Sequence, residues 1–280
     1  MGNILYTTKG CTRCKIVKNF LEQNGIPYIE KDIRGEGKEE FQDFYKANRN
    51  KIYRGSNGIE FPIFTNGIEL RQGIGPSIAF LYGGKNLDKF FKIGVLHKEW
   101  VDGITISEGS SMYTEDFLWV LRHIKNNNMK IQLSTNGKNS EILKRVLDEK
   151  LADDVIMTIL GPFNLYTAIL GEATDIKDIE RSIILLPKFP KYRFEVHINP
   201  IISNGTSSEV SYLSTDEMAE IANQVEKLTG TKRNPFFIII PENMKNDVEI
   251  IKEYKLGSIF AYRTAARKHQ VLAEIEKKSS

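Results

Sequence analysis

Cysteine is scarce in this chain, because its 280 residues contain only two. Two thiols cannot form a network of disulfides, a four-thiolate zinc site or the three-cysteine site of an iron–sulfur cluster. We therefore expect no metal site and no [4Fe–4S] cluster from this chain alone. Both cysteines fall in one motif, Cys11-Thr-Arg-Cys14, and that spacing favours redox chemistry.

Long apolar runs and a large excess of one charge are also missing. No apolar stretch approaches the roughly 18–20 residues that span a bilayer, and the first residues, MGNILYTTKG, lack the apolar core of a signal peptide. The 39 basic and 36 acidic side chains leave a net charge of +3, which does not indicate nucleic-acid binding. We therefore expect a cytoplasmic protein that binds neither membranes nor nucleic acid.

The composition that remains is typical of a folded, soluble protein, and the strand and helix patterns along the chain predict an α/β fold. Hydrophobic residues make up 41% of the chain and charged residues 27%. The length fits one large domain or two ordinary ones. The pair Gly83-Gly84, followed by Lys85-Asn86, predicts a boundary between a first domain at 1–84 and a second at 85–280.

The first domain shows the order βαβ-α-ββ with a final helix. Apolar residues recur at helical spacing from Lys15, and the pair Asn24-Gly25 is expected to end that helix. The turn Thr-Asn-Gly67 predicts a hairpin. Strands are expected at 3–8, 27–33, 61–64 and 68–71, and further helices at 37–54 and near 76–82.

The dithiol lies where the first strand meets the first helix. Cys11 is therefore expected at a helix N-terminus, where unpaired N–H groups and the helix dipole stabilise a thiolate. Cys14 follows one helical turn later and can resolve a mixed disulfide. Lys9 and Arg13 add positive charge that favours the thiolate.

With this motif, residues 1–84 resemble the glutaredoxin branch of the thioredoxin fold, especially the redoxins that donate electrons to ribonucleotide reductase. The resemblance implies that Cys11 is the nucleophile, that Cys14 is the resolving thiol and that Pro62 is a cis-proline facing them. It also places Tyr6 and Lys9 in the flanking positions that support the site.

The chain departs from that family at two places. Thr-Arg stands between the cysteines where the family usually has Pro-Tyr. The glycine-rich stretch that grips glutathione is not evident in residues 73–78, so glutathione is not the expected reductant. Three alternatives stay open for the cysteines: ordinary buried residues, half of a zinc site, or a cluster shared by the four thiolates of two chains.

The second domain alternates between strands and helices, which predicts a parallel sheet wrapped by helices, either open or part of a barrel. Strands are expected at 102–107, 129–134, 154–159, 193–199 and 235–240, with a weaker one at 257–262. Helices are expected near 87–98, 115–126, 139–150, 176–187, 215–229, 246–254 and 263–277.

Small polar residues follow several of these strands, where parallel sheets usually bind ligands. They predict a vestigial ligand cleft formed by Glu108, Gly109, Ser110, Ser134, Asn136, Thr158 and His197. The pattern lacks a histidine–carboxylate pair at metal-ligand spacing and the G-x-S-x-G of a hydrolase. We interpret His197 as a structural, hydrogen-bonded histidine in preference to a catalytic one.

Residues 87–240 resemble the radical S-adenosylmethionine (radical SAM) activating proteins of anaerobic ribonucleotide reductase and pyruvate formate-lyase. The stretches 100–107, 130–137 and 154–159 carry the likeness. It implies an incomplete (βα) barrel. The family's first strand and three-cysteine loop have no counterpart here, and Glu-Gly-Ser-Ser111 replaces Gly-Gly-Glu-Pro. We therefore expect a degenerate domain that is not an active radical SAM enzyme, and do not expect S-adenosylmethionine binding.

Two functions follow from these patterns. The first is a thiol–disulfide oxidoreductase whose second domain docks a protein disulfide substrate, with ribonucleotide reductase or a glycyl-radical enzyme as the target that the resemblance implies. The second is a non-catalytic pseudoenzyme or regulatory module that binds a nucleoside-type ligand or a partner protein. Two further alternatives stay open. The second domain could serve only as a scaffold, and two chains could complete the barrel by forming a homodimer.

Overall fold

The computed structural model describes residues 2–55, 58–95, 98–171, 173–198, 201–202, 210–211, 213–241 and 256–278. The chain divides into two compact units. The first holds Met1–Leu133 with Lys150–Ala152, and the second holds Ser134–Glu149 with Asp153–Ser280. The domain boundary between residues 84 and 85 stays a prediction.

A four-stranded mixed sheet forms the start of the first unit. Strand β1 runs parallel to β2 and antiparallel to β5, which forms a hairpin with β6, so the strand order is β2-β1-β5-β6. The order of elements confirms the βαβ-α-ββ prediction. Its elements are β1 (Asn3–Thr7), α1 (Thr12–Gln23), β2 (Tyr28–Asp32), α2 (Lys38–Asn48), the short β3 (Arg54–Gly55) and β4 (Gly58–Ile59), β5 (Ile63–Thr65), β6 (Leu70–Gln72) and α3 (Ile74–Gly83).

Helix α1 forms where the sequence predicts it, because its apolar side chains share one buried face. Ile16, Val17, Phe20 and Leu21 are all buried. Cys11 caps its N-terminus, and Gly25, with φ +61°, follows its C-cap. Full burial of each large apolar side chain contributes about 1.5–3 kcal/mol. This packing holds the start of α1, and therefore the dithiol, in place.

Helix α2 is shorter than the predicted helix at 37–54. Beyond Asn48 the N–H groups of Lys51 and Ile52 both donate to the Asn48 carbonyl, which turns the chain. The side chain of Gln72 then accepts from the Tyr53 N–H at 2.8 Å and donates to the Tyr53 carbonyl at 2.9 Å. The buried side-chain amide of Gln72, on β6, thus ends the helical pattern. The local spacing of apolar residues does not reveal this long-range contact.

The predicted helix at 87–98 is wrong. A short 3₁₀ turn at Gly84–Leu87 is followed by chain that runs along β7 (Trp100–Thr105). Phe91 makes an antiparallel bridge to Ile104, and the Thr105 N–H donates to the Phe90 carbonyl at 2.9 Å. The apolar spacing imitates a helix, but the backbone bonds to the neighbouring strand decide the conformation.

In the rest of the first unit, a fourth helix packs against α1 and α3. Helix α4 (Thr114–Asn126) precedes β8 (Lys130–Thr135). The Trp119 ring of α4 stacks on Tyr82 of α3 with centroids 3.9 Å apart and meets Phe20 of α1 edge to face at 6.0 Å. His123 lies 5.3 Å from both Trp119 and Phe20. These rings fix α4 against α1 and α3.

Burial lowers the pKa of His123 because the charged imidazolium loses water among these rings. A histidine whose folded pKa lies below its unfolded value, about 6.5, contributes no penalty above that pH and destabilises the fold as pH falls through it. We expect His123→Phe, which keeps an aromatic ring, to lose less stability than the wild type between about pH 7.5 and about pH 5.5. Urea unfolding at both pH values measures this, and equal losses would contradict it.

In the second unit, four strands form a sheet in the order β14-β13-β10-β9. Strands β9, β10, β13 and β14 of the second unit are mutually parallel, as the alternation predicts. The second unit's elements are α5 (Ser140–Asp148), β9 (Asp154–Thr158), α6 (Tyr166–Leu170), α7 (Ile176–Leu185), β10 (Tyr192–His197), the short β11 (Ile201–Ile202) and β12 (Val210–Ser211), α8 (Thr215–Thr229), β13 (Phe236–Pro241), α9 (Leu256–Arg267) and β14 (Ala273–Lys278).

Both predictions for the C-terminal region are wrong. The weak strand expected at 257–262 lies within helix α9, whose Tyr262, Ala265 and Ala266 are buried. The helix expected at 263–277 ends at Arg267, and β14 follows, paired in parallel with β13 from Phe236↔Ala273 onward. The charged residues that alternate with Ala273 and Ile275 conceal this edge strand. The helix predicted near 246–254 lies outside the described residues.

Within the described ranges, none of the helices combines the length and the apolar character that a membrane span requires.

Candidate redox site

Cys11 and Cys14 form a disulfide, with their Cα atoms 5.3 Å apart. Cys11 is the N-cap of α1, and its Sγ accepts a hydrogen bond from the Cys14 N–H at 3.1 Å. Cys14 is only 3% exposed, whereas Cys11 is half-buried. The geometry thus gives one sulfur that a substrate can reach and one that lies beneath it.

The backbone around Cys11 presents a donor where a thiolate would form. Gly10 adopts φ +78°, which turns the chain from β1 into the helix. The Lys15 N–H donates to the Cys11 carbonyl at 3.1 Å, so the helix begins directly after the sulfur-bearing residue. The N–H of Cys14 and the helix dipole therefore both stabilise negative charge on the Cys11 sulfur.

The Phe61–Pro62 peptide bond is cis, which confirms the conformation that the resemblance implies. Phe61 and Ile63, on either side of Pro62, belong to the same buried cluster as Cys14. Phe61 also lines a groove beside Cys11. The participation of Pro62 in the chemistry stays a prediction.

Tyr6 lies in the core that supports the dithiol. Its ring is 4.7 Å from Phe44 and 5.1 Å from Phe41, and it shares their buried cluster with Cys14. Burial of the phenol is the main cause that raises the pKa of Tyr6 to about 12, and the negative charge of Glu40 acts in the same direction. The phenol is therefore neutral at physiological pH, and its predicted support of the thiolate stays a prediction.

Arg13 is held by neighbours on both sides. Its Nη2 donates to the Trp100 carbonyl at 2.7 Å, and its Nη1 lies 3.7 Å from Glu60 Oε2. Burial lowers the pKa of Arg13, while the charges of Glu60 and Asp102 act in the opposite direction. The ion pair with Glu60 thus partly neutralises the positive charge of Arg13. Lys9, by contrast, is exposed and lines the same groove as Cys11.

Two open grooves meet Cys11. One, of about 520 Å³, runs along the first turns of α1 and carries Lys9, Lys15 and Lys18. The other, of about 760 Å³, is called the substrate groove below; its lining is Thr8, Gly10, Cys11, Thr12, Arg13, Ile59, Glu60, Phe61, Lys98, Glu99, Asn127, Asn128 and Met129. The residues at 98–99 and 127–129 were missed from the sequence, because more than eighty positions separate them from the cysteines.

In the first unit, three residues of the predicted cleft lie just beyond β7. Glu108 forms an ion pair with Lys92 at 2.8 Å. The Ser110 side chain caps the next 3₁₀ turn by accepting from the Met112 N–H. Gly109 packs directly on the buried ring of Phe90. Each residue has a local structural role here, and their predicted ligand binding stays a prediction.

Gly109 is required by packing, which a substitution tests. A Cβ at this position would lie 2.1 Å from Phe90 Cε1, and the Phe90 ring is itself stacked on Phe117 at 4.5 Å. We expect Gly109→Ala to destabilise the fold by about 1–3 kcal/mol through overpacking. Thermal and urea unfolding measure this against Gly35→Ala, where the nearest atoms lie at an ordinary 3.8 Å. Equal stability of the two variants would contradict it.

In the second unit, the remaining cleft residues lie at or beyond strand ends. Ser134 is near the end of β8, Asn136 accepts from the Lys138 N–H at 3.2 Å, and Thr158 ends β9. His197 ends β10, and its Nε2 is 2.9 Å from Glu195 Oε2, a carboxylate that is 1% exposed. Sequence reasoning missed Glu195.

Arg193 also binds Glu195, at 2.6 Å from Oε1. A buried carboxylate thus forms a hydrogen bond with His197, and the choice between a structural and a catalytic role for this histidine stays a prediction. Among the residues that the structure describes, no group of three or more histidine, cysteine or acidic side chains could hold a metal ion.

Comparison with known proteins assigns the N-terminal region. The model of the Glutaredoxin family matches residues 3–51, which include both cysteines. With the four-stranded sheet and its cis-proline, this defines a glutaredoxin-like redox domain with thioredoxin-like architecture and the Cys11–Cys14 pair at disulfide distance.

A solved structure that matches is the glutaredoxin-like NrdH-redoxin from Escherichia coli, described as having a thioredoxin-like activity profile. It is 19% identical, with a TM-score of 0.22, and the match covers 28% of this chain and 90% of that one. No curated protein matches the chain.

Proposed function

We propose that this protein is a thiol–disulfide oxidoreductase that works through Cys11 and Cys14. One observation carries the proposal: the two sulfurs are bonded at the N-terminus of α1, with Cys11 accessible and Cys14 buried beneath it. A thiolate at a helix N-terminus is stabilised, and an adjacent buried thiol can attack only its neighbour.

The reaction balances with the two thiols alone. The Cys11 thiolate attacks one sulfur of a target disulfide, the target's S–S bond breaks, and its second sulfur leaves as a thiolate that takes up a proton. Cys14 then loses its proton and attacks Cys11 Sγ, which releases the other target thiol. The protein's dithiol is oxidised by two electrons, and the target disulfide is reduced to two thiols. An external dithiol returns the protein to its reduced form.

The test is catalysed reduction of an uncharged dipyridyl disulfide, with dithiothreitol as the external dithiol. We expect release of the coloured pyridyl thiol at a rate proportional to protein concentration and above the rate of dithiothreitol alone. A rate that does not depend on the protein would contradict the proposal.

We propose further that the second domain is a degenerate radical SAM-like partial barrel that docks the disulfide substrate. The order β14-β13-β10-β9 in the second unit supports this, because neighbouring strands follow the order of the chain without the reversal of doubly wound sheets. By resemblance, the target is a ribonucleotide reductase or a glycyl-radical enzyme in the cytoplasm, where thiols are kept reduced. The proposal includes neither an iron–sulfur cluster nor catalysis with S-adenosylmethionine.

The alternative is a regulatory module whose strand ends bind a nucleoside-type ligand. The small polar residues at strand ends favour it, such as Asn136 just after β8 and Thr158 at the end of β9, because ligands of parallel sheets bind there. Calorimetry with S-adenosylmethionine and S-adenosylhomocysteine tests this alternative, and an absence of heat at millimolar ligand would remove it.

A further inference from the structure

Part of the lining of the substrate groove comes from segments that lie far along the chain from the glutaredoxin match at residues 3–51. The segments Lys98–Glu99 and Asn127–Met129 line it together with Cys11 and Phe61. The Lys130 N–H donates to the Glu99 carbonyl at 2.6 Å, and the Asn127 side chain donates to the His123 carbonyl at 2.9 Å. These hydrogen bonds hold both segments in place. The substrate groove beside Cys11 is therefore formed by the fold itself.

The shape of the groove fits a length of polypeptide. Ile59, Phe61 and Met129 supply apolar surface, while Asn127 and Asn128 supply polar groups. The volume of about 760 Å³ is of the size that holds ligands well beyond a single side chain. Several chain segments line the groove and Cys11 is among its lining residues, so a disulfide within an extended strand can reach the sulfur while its neighbours contact the wall.

The charged side chains that line the substrate groove indicate which residues should flank the cysteine of the substrate. Four charged side chains line the groove, and three of them have ion-pair partners: Arg13 with Glu60 at 3.7 Å, and Glu99 with Lys130 at 3.4 Å. Lys98 is exposed and makes no ion pair with any residue in the described ranges. Lys98 and its sequence neighbour Glu99 attract each other electrostatically. Among the described lining residues, Lys98 is therefore the cation without an ion-pair partner that is open to an incoming ligand.

We propose that the substrate of this site is an extended, disulfide-bearing polypeptide segment with an acidic residue next to its cysteine, and that Lys98 recognises this acidic residue. The proposal rests on the proposed oxidoreductase function and names its substrate class. Lys98 is a specificity residue, separate from the reacting sulfurs.

The test compares three hexapeptides in which a central cysteine is linked to a pyridyl thiol and is flanked by glutamate, glutamine or lysine. Attack by Cys11 on the peptide sulfur releases the coloured pyridyl thiol, Cys14 then frees the peptide thiol, and dithiothreitol reduces the resulting Cys11–Cys14 disulfide for the next turnover. We expect the wild type to prefer the glutamate peptide. Lys98→Glu should lower kcat/KM for it about three- to tenfold at low salt and raise kcat/KM for the lysine peptide.

The matched control is Lys89→Glu, the same charge change at an exposed lysine that does not line the groove. Lys89→Glu should leave unchanged both the peptide preference and the reduction of the uncharged dipyridyl disulfide. If the dipyridyl disulfide is reduced but Lys98→Glu does not change the peptide preference, the inference is wrong while the oxidoreductase stands. If glutathione disulfide matches the glutamate peptide in rate and in its dependence on Lys98, the occupant is a small thiol and the inference is also wrong. If the wild type reduces no disulfide at all, the proposed function itself fails.

Discussion

Replacing Cys11 with serine should abolish disulfide reduction by this protein. A serine hydroxyl cannot form the mixed disulfide on which the exchange depends, and Cys14 is only 3% exposed, so no other sulfur is available to attack. Turnover of the dipyridyl disulfide should fall to the rate of dithiothreitol alone, so the whole protein-dependent rate should be lost.

The control for Cys11→Ser is its fold. Its unfolding should be compared with that of the reduced wild type, so that the missing Cys11–Cys14 bond does not enter the comparison. Similar stability with no activity assigns the loss to chemistry. Wild-type activity in a folded Cys11→Ser variant would overturn the proposed mechanism.

Replacing Cys14 with serine should stop the reaction halfway. Cys11 keeps its place at the N-terminus of α1 and can still attack a disulfide, but the buried thiol that would release the product is absent. In the absence of external thiol, we expect a stable one-to-one adduct between Cys11 and half of the substrate. Intact-mass spectrometry would detect this adduct.

The same variant can capture the physiological target, because a protein substrate should remain attached through Cys11. The double variant Cys11→Ser/Cys14→Ser is the matched control and should form no adduct. Release of both substrate thiols by Cys14→Ser at the wild-type rate would show that a thiol outside this chain resolves the intermediate.

The redox site could be predicted from the sequence because its signals are local. Cys11 and Cys14 lie three positions apart, and the change from strand to helix around them is visible in the spacing of apolar residues. The position of Pro62 followed from the resemblance, and its peptide bond is cis. The second sheet was likewise visible in its alternating strands and helices.

Long-range contacts decide the features that were missed. Residues 90 and 91 carry a helix-like apolar pattern, yet their backbone pairs with β7. Strand β14 is an edge strand whose charged residues hide its alternation. Lys98 and Asn127 join the groove of Cys11 only because the chain folds back beside α1. Tertiary contacts of this kind leave no mark in a local window of sequence.

The central claim is that Cys11 and Cys14 act together as a two-electron reductant. The most direct measurement mixes the reduced protein with one equivalent of a disulfide peptide, quenches with acid, alkylates free thiols and weighs both products. The chain has only two cysteines, so every alkylation site belongs to this pair. We predict that the protein loses both sites together while the peptide gains two. A protein that keeps both thiols beside an oxidised peptide would contradict the claim.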